Sequence, residues 1–109
     1  MVLIDTSTWI HYFNRSNSAA FQEVGELIRQ DQVVTCGPVV TEIFSGAKNQ
    51  KDSKLLKEQF MLLPFLELEQ KDFYEAGELR AKLKGRGYII KTVDALIAHL
   101  ALREGVELF

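Results

Sequence analysis

Three carboxylates stand where a chain could use them for chemistry: Asp5 in LIDTSTWI, Glu42 in GPVVTEIFSGA and Asp94 in IIKTVDALIAHLALREG. Asp5 ends a short apolar run, and in open parallel sheets ligand sites lie beyond the carboxyl ends of the strands. Glu42 falls well off the centre of the face made by Val39, Val40, Ile43, Phe44 and Ala47, so it can look toward the rim of such a sheet. Asp94 belongs to the first turn of a helix that is apolar nearly all round from Val93 to Leu102. A helix of that kind is expected to be buried, which would put the acid beside core residues, on the side of Ile97, Ala98 and Ala101. Carboxylates that share a pocket repel one another, and a hard divalent cation relieves them. Mg2+ or Mn2+ takes oxygen ligands, can activate water and can shield charge building on a phosphoryl oxygen.

Each acid also has a plainer reading. Asp is a favoured helix N-cap, although Thr6 and Ser7 could cap the first helix equally well. Glu42 can be a solvated flank, and Asp94 can serve the helix dipole. Ser7, two residues past Asp5, can hydrogen-bond a metal-bound water or a phosphate, or cap the helix.

The elements that must position these groups follow from periodicity. Val2-Leu3-Ile4 reads as a buried strand, and the pattern from Thr6 to Phe13 suits a helix. Residues 14–18 are a polar break. A second helix runs from Ala19 to Gln30, and Val33-Val34-Thr35-Cys36 is a second strand. Pro38 is placed to open a helix reaching Gly46. Further helices are expected over Asp52–Leu63, Gln70–Leu83 and Thr92–Glu104, with a third strand at Phe65–Leu68 and a fourth beginning at Val106. Thr92 reads as the N-cap of the last helix and Gly105 as the residue that ends it. Short strands alternating with helices define an α/β domain with a mainly parallel sheet covered on both faces.

The bulk composition narrows the functions. At 109 residues and 47% hydrophobic, the chain is sized for one domain with a core of its own. With Cys36 as the sole cysteine there is no intrachain disulfide and no paired-cysteine zinc motif. A reducing cytoplasmic setting is the simplest expectation. The start lacks the basic region of a signal peptide, and no apolar run approaches the ~20 residues of a membrane helix. A net charge of −2 argues against a generic charge-driven nucleic-acid binder, but not against a nuclease with a local basic stretch. RAKLKGRGYIIK supplies one: Arg80, Lys82, Lys84, Arg86 and Lys91, with no acid among them, leading into Asp94. These can contact phosphates without reading sequence, or can be the solvated basic end of a helix. His11 and His99 read as structural or surface histidines, since neither is spaced from another His or Cys as zinc ligands are.

Taken in order, LIDTSTWI, TEIFSGA and TVDALIA resemble the three segments of PIN-domain ribonucleases, and are most similar to the VapC toxins of toxin–antitoxin pairs. The resemblance covers the whole chain. It implies a PIN-like three-layer α/β/α sandwich and Mg2+- or Mn2+-dependent endonucleolytic cleavage of RNA. It puts catalytic, metal-coordinating roles on Asp5, Glu42 and Asp94, with Ser7 and Thr6 in support. It further implies a homodimer and a small protein antitoxin that blocks the acidic pocket. One departure stands out. Family members continue past the last helix into a further acidic segment and an edge strand, which residues 1–109 do not include, so a truncated chain lacking a fourth acid is the expectation. Two other classes stay open: a non-catalytic module that binds antitoxin or RNA, and a phosphohydrolase using Asp5 as nucleophile. The second lacks both a second Asp at position 7, where Ser stands, and a Gly-rich phosphate loop.

Overall fold

The structure is a computed structural model that describes residues 1–14 and 18–109. Its elements, in chain order, are β1 (Val2–Leu3), α1 (Thr6–Asn14), α2 (Ala19–Arg29), β2 (Val33–Cys36), α3 (Gly37–Ser45), α4 (Gln50–Phe60), β3 (Phe65–Leu66), α5 (Gln70–Gly85), α6 (Thr92–Glu104) and β4 (Glu107–Leu108). Nearly all stand within a few residues of the spans read from periodicity. Of the polar break expected at 14–18, residues 15–17 lie outside the described residues, and Ser18 caps α2 by accepting from the Phe21 N–H at 3.0 Å.

The strands form a sheet in the order β3-β2-β1-β4, and every described pair is parallel. Leu3 lies opposite both Val34 of β2 and Leu108 of β4. β1 therefore has neighbours on both edges, and its side chains are buried in succession. All four positions of β2 are buried as well, so both faces of the sheet's centre are covered. This is the α/β architecture with helices over both faces, and it explains why β1 and β2 read as unbroken apolar runs rather than alternating ones.

The chain steps outward from β1 to β2 and β3, then returns across β1 to place β4 on its other side. The carboxyl end of β1 is consequently the point where strand order reverses, the usual place for a crevice in an open α/β sheet. The core joins Leu3, Ile4, Val33, Val34 and Val39 to Ile97 and Leu100 of α6. A second apolar group forms around Trp9, whose ring lies 4.9 Å from that of Phe60 and 5.6 Å from that of Phe13. It ties α1 to α4.

Two features of α6 differ from expectation. Thr92 is its first helical residue rather than its cap. Lys91 holds the cap position in extended backbone, without a side-chain cap hydrogen bond. Nor is α6 buried all round: Ala95, Ile97, His99, Leu100 and Ala101 are buried, whereas Leu102 is 71% exposed and Asp94 is exposed. The helix packs against α5, α3 and β4, which cover one side of it and leave Thr92, Asp94 and Leu102 in water. Its end is as expected. Gly105 adopts a left-handed φ of 63°, which glycine reaches without steric cost, and Val106 N–H turns back to the Ala101 carbonyl.

Leu3 is completely buried at the centre of the sheet. Leu3→Ala should therefore lower unfolding free energy by about 2–5 kcal/mol, read from urea titration, as cavity-forming core substitutions do. A loss under about 1 kcal/mol would mean that β1 is not the keystone of the core.

Candidate active site

Asp5 leaves β1 at the reversal point and is half-buried. Its backbone carbonyl accepts from Trp9 N–H and so belongs to the first turn of α1, while its N–H donates to the Phe109 carbonyl. The side chain is free of capping duty: Ser7 Oγ donates to Asp5 Oδ2 at 3.2 Å, leaving the other oxygen available. The negative charge of Asp5 also reaches the end of β2. Burial pushes the Cys36 thiol up, and Asp5 adds to that rise.

Glu42 projects from α3 and is exposed, as expected for a residue off the apolar face. It is not a loose surface acid. Thr6, itself buried, donates its hydroxyl to Glu42 Oε1 at 2.6 Å across 36 residues of sequence. This bond ties Glu42 to the residue that follows Asp5. Thr6 can do so because it opens α1, and α1 packs against α3. Glu42 also stands at the lip of a groove of about 560 Å³ that includes Ile10, Phe13, Lys48 and Leu55.

Asp94 enters from the first turn of α6, and α6 packs against the same α3. Its exposure corrects the expectation of an acid packed among core residues. Among the described residues no hydrogen bond joins it to Asp5 or Glu42. Nor do the three carboxylates converge within 4.8 Å of one another, a spacing met among the described residues only by Asp72, Glu75 and His99. The structure thus joins Thr6 to Glu42 and Ser7 to Asp5 by hydrogen bonds, and carries Asp94 on a helix that also packs against α3. Three oxygen-donor carboxylates reachable by water fit a hard divalent cation, which would draw like charges closer.

The basic stretch is exposed at Arg80, Lys82, Lys84, Arg86 and Lys91. Arg80 has a structural task besides: its Nε donates to the Ile90 carbonyl at 2.7 Å, pinning the loop that precedes α6.

Sequence reading missed a second group of polar residues. Asp72 on α5 is fully buried and ion-paired with Arg103 Nη1 of α6. Asp72 Oδ1 lies 2.8 Å from His99 Nε2, and Glu75 Oε2 lies 3.4 Å from the same nitrogen. Arg103 Nη2 reaches the Glu67 carbonyl at 3.0 Å and Glu104 at 2.9 Å. The signal was present as two complementary helical pairs, Asp72/Glu75 at i,i+3 and His99/Arg103 at i,i+4. His99 is structural, as one of its two readings held, but through acidic partners rather than apolar packing.

A four-stranded parallel sheet between helices, with an acid leaving its central strand where strand order reverses, defines the class of fold to which such a molecule belongs. Residues 2–109 match the PIN domain, and the chain belongs to the PIN domain family. It is similar to VapC ribonuclease Mb1587 of Mycobacterium bovis and to ribonuclease VapC11 of Mycobacterium tuberculosis. Each is 33% identical over 112 residues, spanning 99% of this chain and 84% of the relative. Among solved structures, VapBC2 from Rickettsia felis bound to a DNA fragment from its promoter superposes with a TM-score of 0.80 at 23% identity, covering 99% of this chain and 85% of the other. FitAcB from Neisseria gonorrhoeae gives 0.79 at 21% identity, with the same coverage. These superpositions establish the fold. No helix among the described residues is long and apolar enough to cross a membrane.

The Asp72 group predicts a pH response. The Glu69 N–H, followed by the His99 side chain, holds the Asp72 carboxyl below the usual carboxylate range, with the Arg103 charge adding and burial opposing. An unfolded Asp titrates near about 3.9. Between that value and the lower folded value the unfolded chain binds more protons, so this contribution is complete above about pH 4 and is lost as pH falls further. In EDTA buffer, Asp72→Asn should lower the urea midpoint at pH 7 and flatten its decline below about pH 4. An acid limb parallel to that of the unsubstituted chain would assign the effect to other groups.

Proposed function

We propose that the chain is an endoribonuclease, the toxin of a toxin–antitoxin pair, that hydrolyses RNA phosphodiester bonds at Asp5, Glu42 and Asp94 with Mg2+ or Mn2+. Family membership and the ribonuclease relatives support the activity. The observation that supports the site is the Thr6–Glu42 hydrogen bond, which ties an α3 carboxylate to the residue following the acid at the end of β1.

In this reading Asp5, Glu42 and Asp94 hold the cation through carboxylate oxygens. Thr6 satisfies one oxygen of Glu42 and turns the other toward the pocket. Ser7 does the same for Asp5. The bound cation supplies Lewis acidity, promoting a water for attack and offsetting charge on the phosphate. Lys82, Lys84, Arg86 and Lys91 contact the RNA backbone, while Arg80 shapes the loop beside them. The protein antitoxin covers the acidic pocket, the toxin acts as a homodimer, and both belong to the cytoplasm.

That Asp5, Glu42 and Asp94 do not converge within 4.8 Å favours one competing reading, a PIN-fold module that binds antitoxin or RNA without cutting. Purified chain, free of antitoxin, should cleave RNA with Mg2+ or Mn2+ and not with EDTA. Asp5→Asn and Asp94→Asn should reduce cleavage to the EDTA level without loss of thermal stability, because removing one like charge relieves repulsion in the metal-free pocket. No cleavage by the unsubstituted chain would favour the binding module, and cleavage in EDTA would remove the cation from the reaction.

Two further outcomes grade the model. Thr6→Val should cost about ten- to a hundredfold in rate, the usual effect of removing a group that orients a ligand. Added salt, raised from about 50 to 200 mM, should slow cleavage at subsaturating RNA if the basic stretch holds phosphates. A flat salt response would remove those residues from the substrate path.

A further inference from the structure

We propose that Asp72, Glu75 and His99 form a second cation site, of zinc-type chemistry, distinct from the pocket of Asp5, Glu42 and Asp94. The three ligand atoms come from two helices and lie within 4.8 Å of one another. His99 Nε2 is the hub, 2.8 Å from Asp72 Oδ1 and 3.4 Å from Glu75 Oε2. Two atoms bound to one Zn2+ at about 2.0–2.1 Å stand roughly 2.8–3.4 Å apart for angles from right to tetrahedral. Both nitrogen–oxygen separations fall in that range.

The arrangement also suits a cation better than a single proton. An imidazole nitrogen carries at most one proton and donates well along one direction, yet two carboxylate oxygens converge on Nε2. A shared cation serves both. Charge balance points the same way. Arg103 is already divided between Asp72 and Glu104, so among the described residues His99 is the cationic partner of Glu75.

Two of the ligands are pre-positioned. Asp72 is fully buried, and its second oxygen is held by Arg103 and by the Glu69 N–H at 2.7 Å. His99 is 8% exposed on the face of α6 that meets α5. The Glu75 side chain is 52% exposed, which gives a cation its entry and leaves room for water in a fourth position. One imidazole with two carboxylates favours Zn2+ or Co2+ over Mg2+. Along α6, His99 stands five residues from Asp94, roughly 140° around the helix axis, so the two sites face different ways.

The test is Zn2+ titration by calorimetry on tag-free protein, together with the visible absorption of Co2+. Asp94→Asn, which disables the other pocket, should keep a saturable Zn2+ site of micromolar affinity or tighter with the Co2+ bands of a nitrogen–oxygen site, and the unsubstituted chain should show the same site. Glu75→Gln, a change at an exposed side chain that leaves the fold intact, should weaken binding at least tenfold. His99→Gln should abolish it. No saturable binding, or binding indifferent to Glu75→Gln, would leave Asp72 and His99 as an ion pair only. Loss of binding in Asp94→Asn would send the cation to the other pocket. Either result overturns the proposal.

Discussion

A strand of two residues, covered on both faces and hydrogen-bonded on both edges, governs this molecule. β1 cannot shift without unpairing β2 on one side and β4 on the other. Buried backbone groups left without partners are expensive, so the position and direction of β1 are fixed by its neighbours. Because both neighbours run parallel to it, the chain leaves β1 at the same end of the sheet where β2 also finishes. Asp5 is the residue that emerges there. Its placement is a consequence of strand pairing.

The rest of the candidate site hangs from that point through short-range bonds. Thr6 is buried because it begins the helix that covers the sheet, and a buried hydroxyl needs an acceptor. Glu42 provides it from α3, so the same hydrogen bond satisfies the core and orients a rim carboxylate. Asp94 is held differently. It depends on α6 as a body, docked by Ile97 and Leu100 in the core and by the Asp72–Arg103 ion pair on the α5 side. A pocket built partly on direct bonds and partly on a docked helix has one firm wall and one adjustable wall.

Much of this was legible in the sequence. Val2-Leu3-Ile4 and Val33-Val34-Thr35-Cys36 announce strands buried on both faces because nothing polar interrupts them except Thr35. Pro38 and Gly105 mark helix ends through backbone restriction alone, and both lie at or beside the ends they foretold. What failed did so for tertiary reasons. The apolar circumference of α6 suggested burial all round, but its packing against α5, α3 and β4 leaves part of its surface uncovered, and Asp94 and Leu102 stand there. Asp72 and His99 were overlooked because each looks ordinary on its own helix. Only the packing of α5 on α6 gives them to one another, and no local pattern encodes a pairing 27 residues apart. The Thr6–Glu42 bond is of the same kind.

The loop between α5 and α6 carries a mechanical implication. Arg80 grips the Ile90 carbonyl, two residues before the first turn of α6. α5 therefore holds α6 at two places: near its start through this arginine, and near its end through Asp72 and Arg103. A helix clamped at both ends can rotate or slide only if its partner moves too. The position of Asp94 thus becomes a property of the α5–α6 pair as a unit, and residues on the outer surface of α5 gain leverage over it.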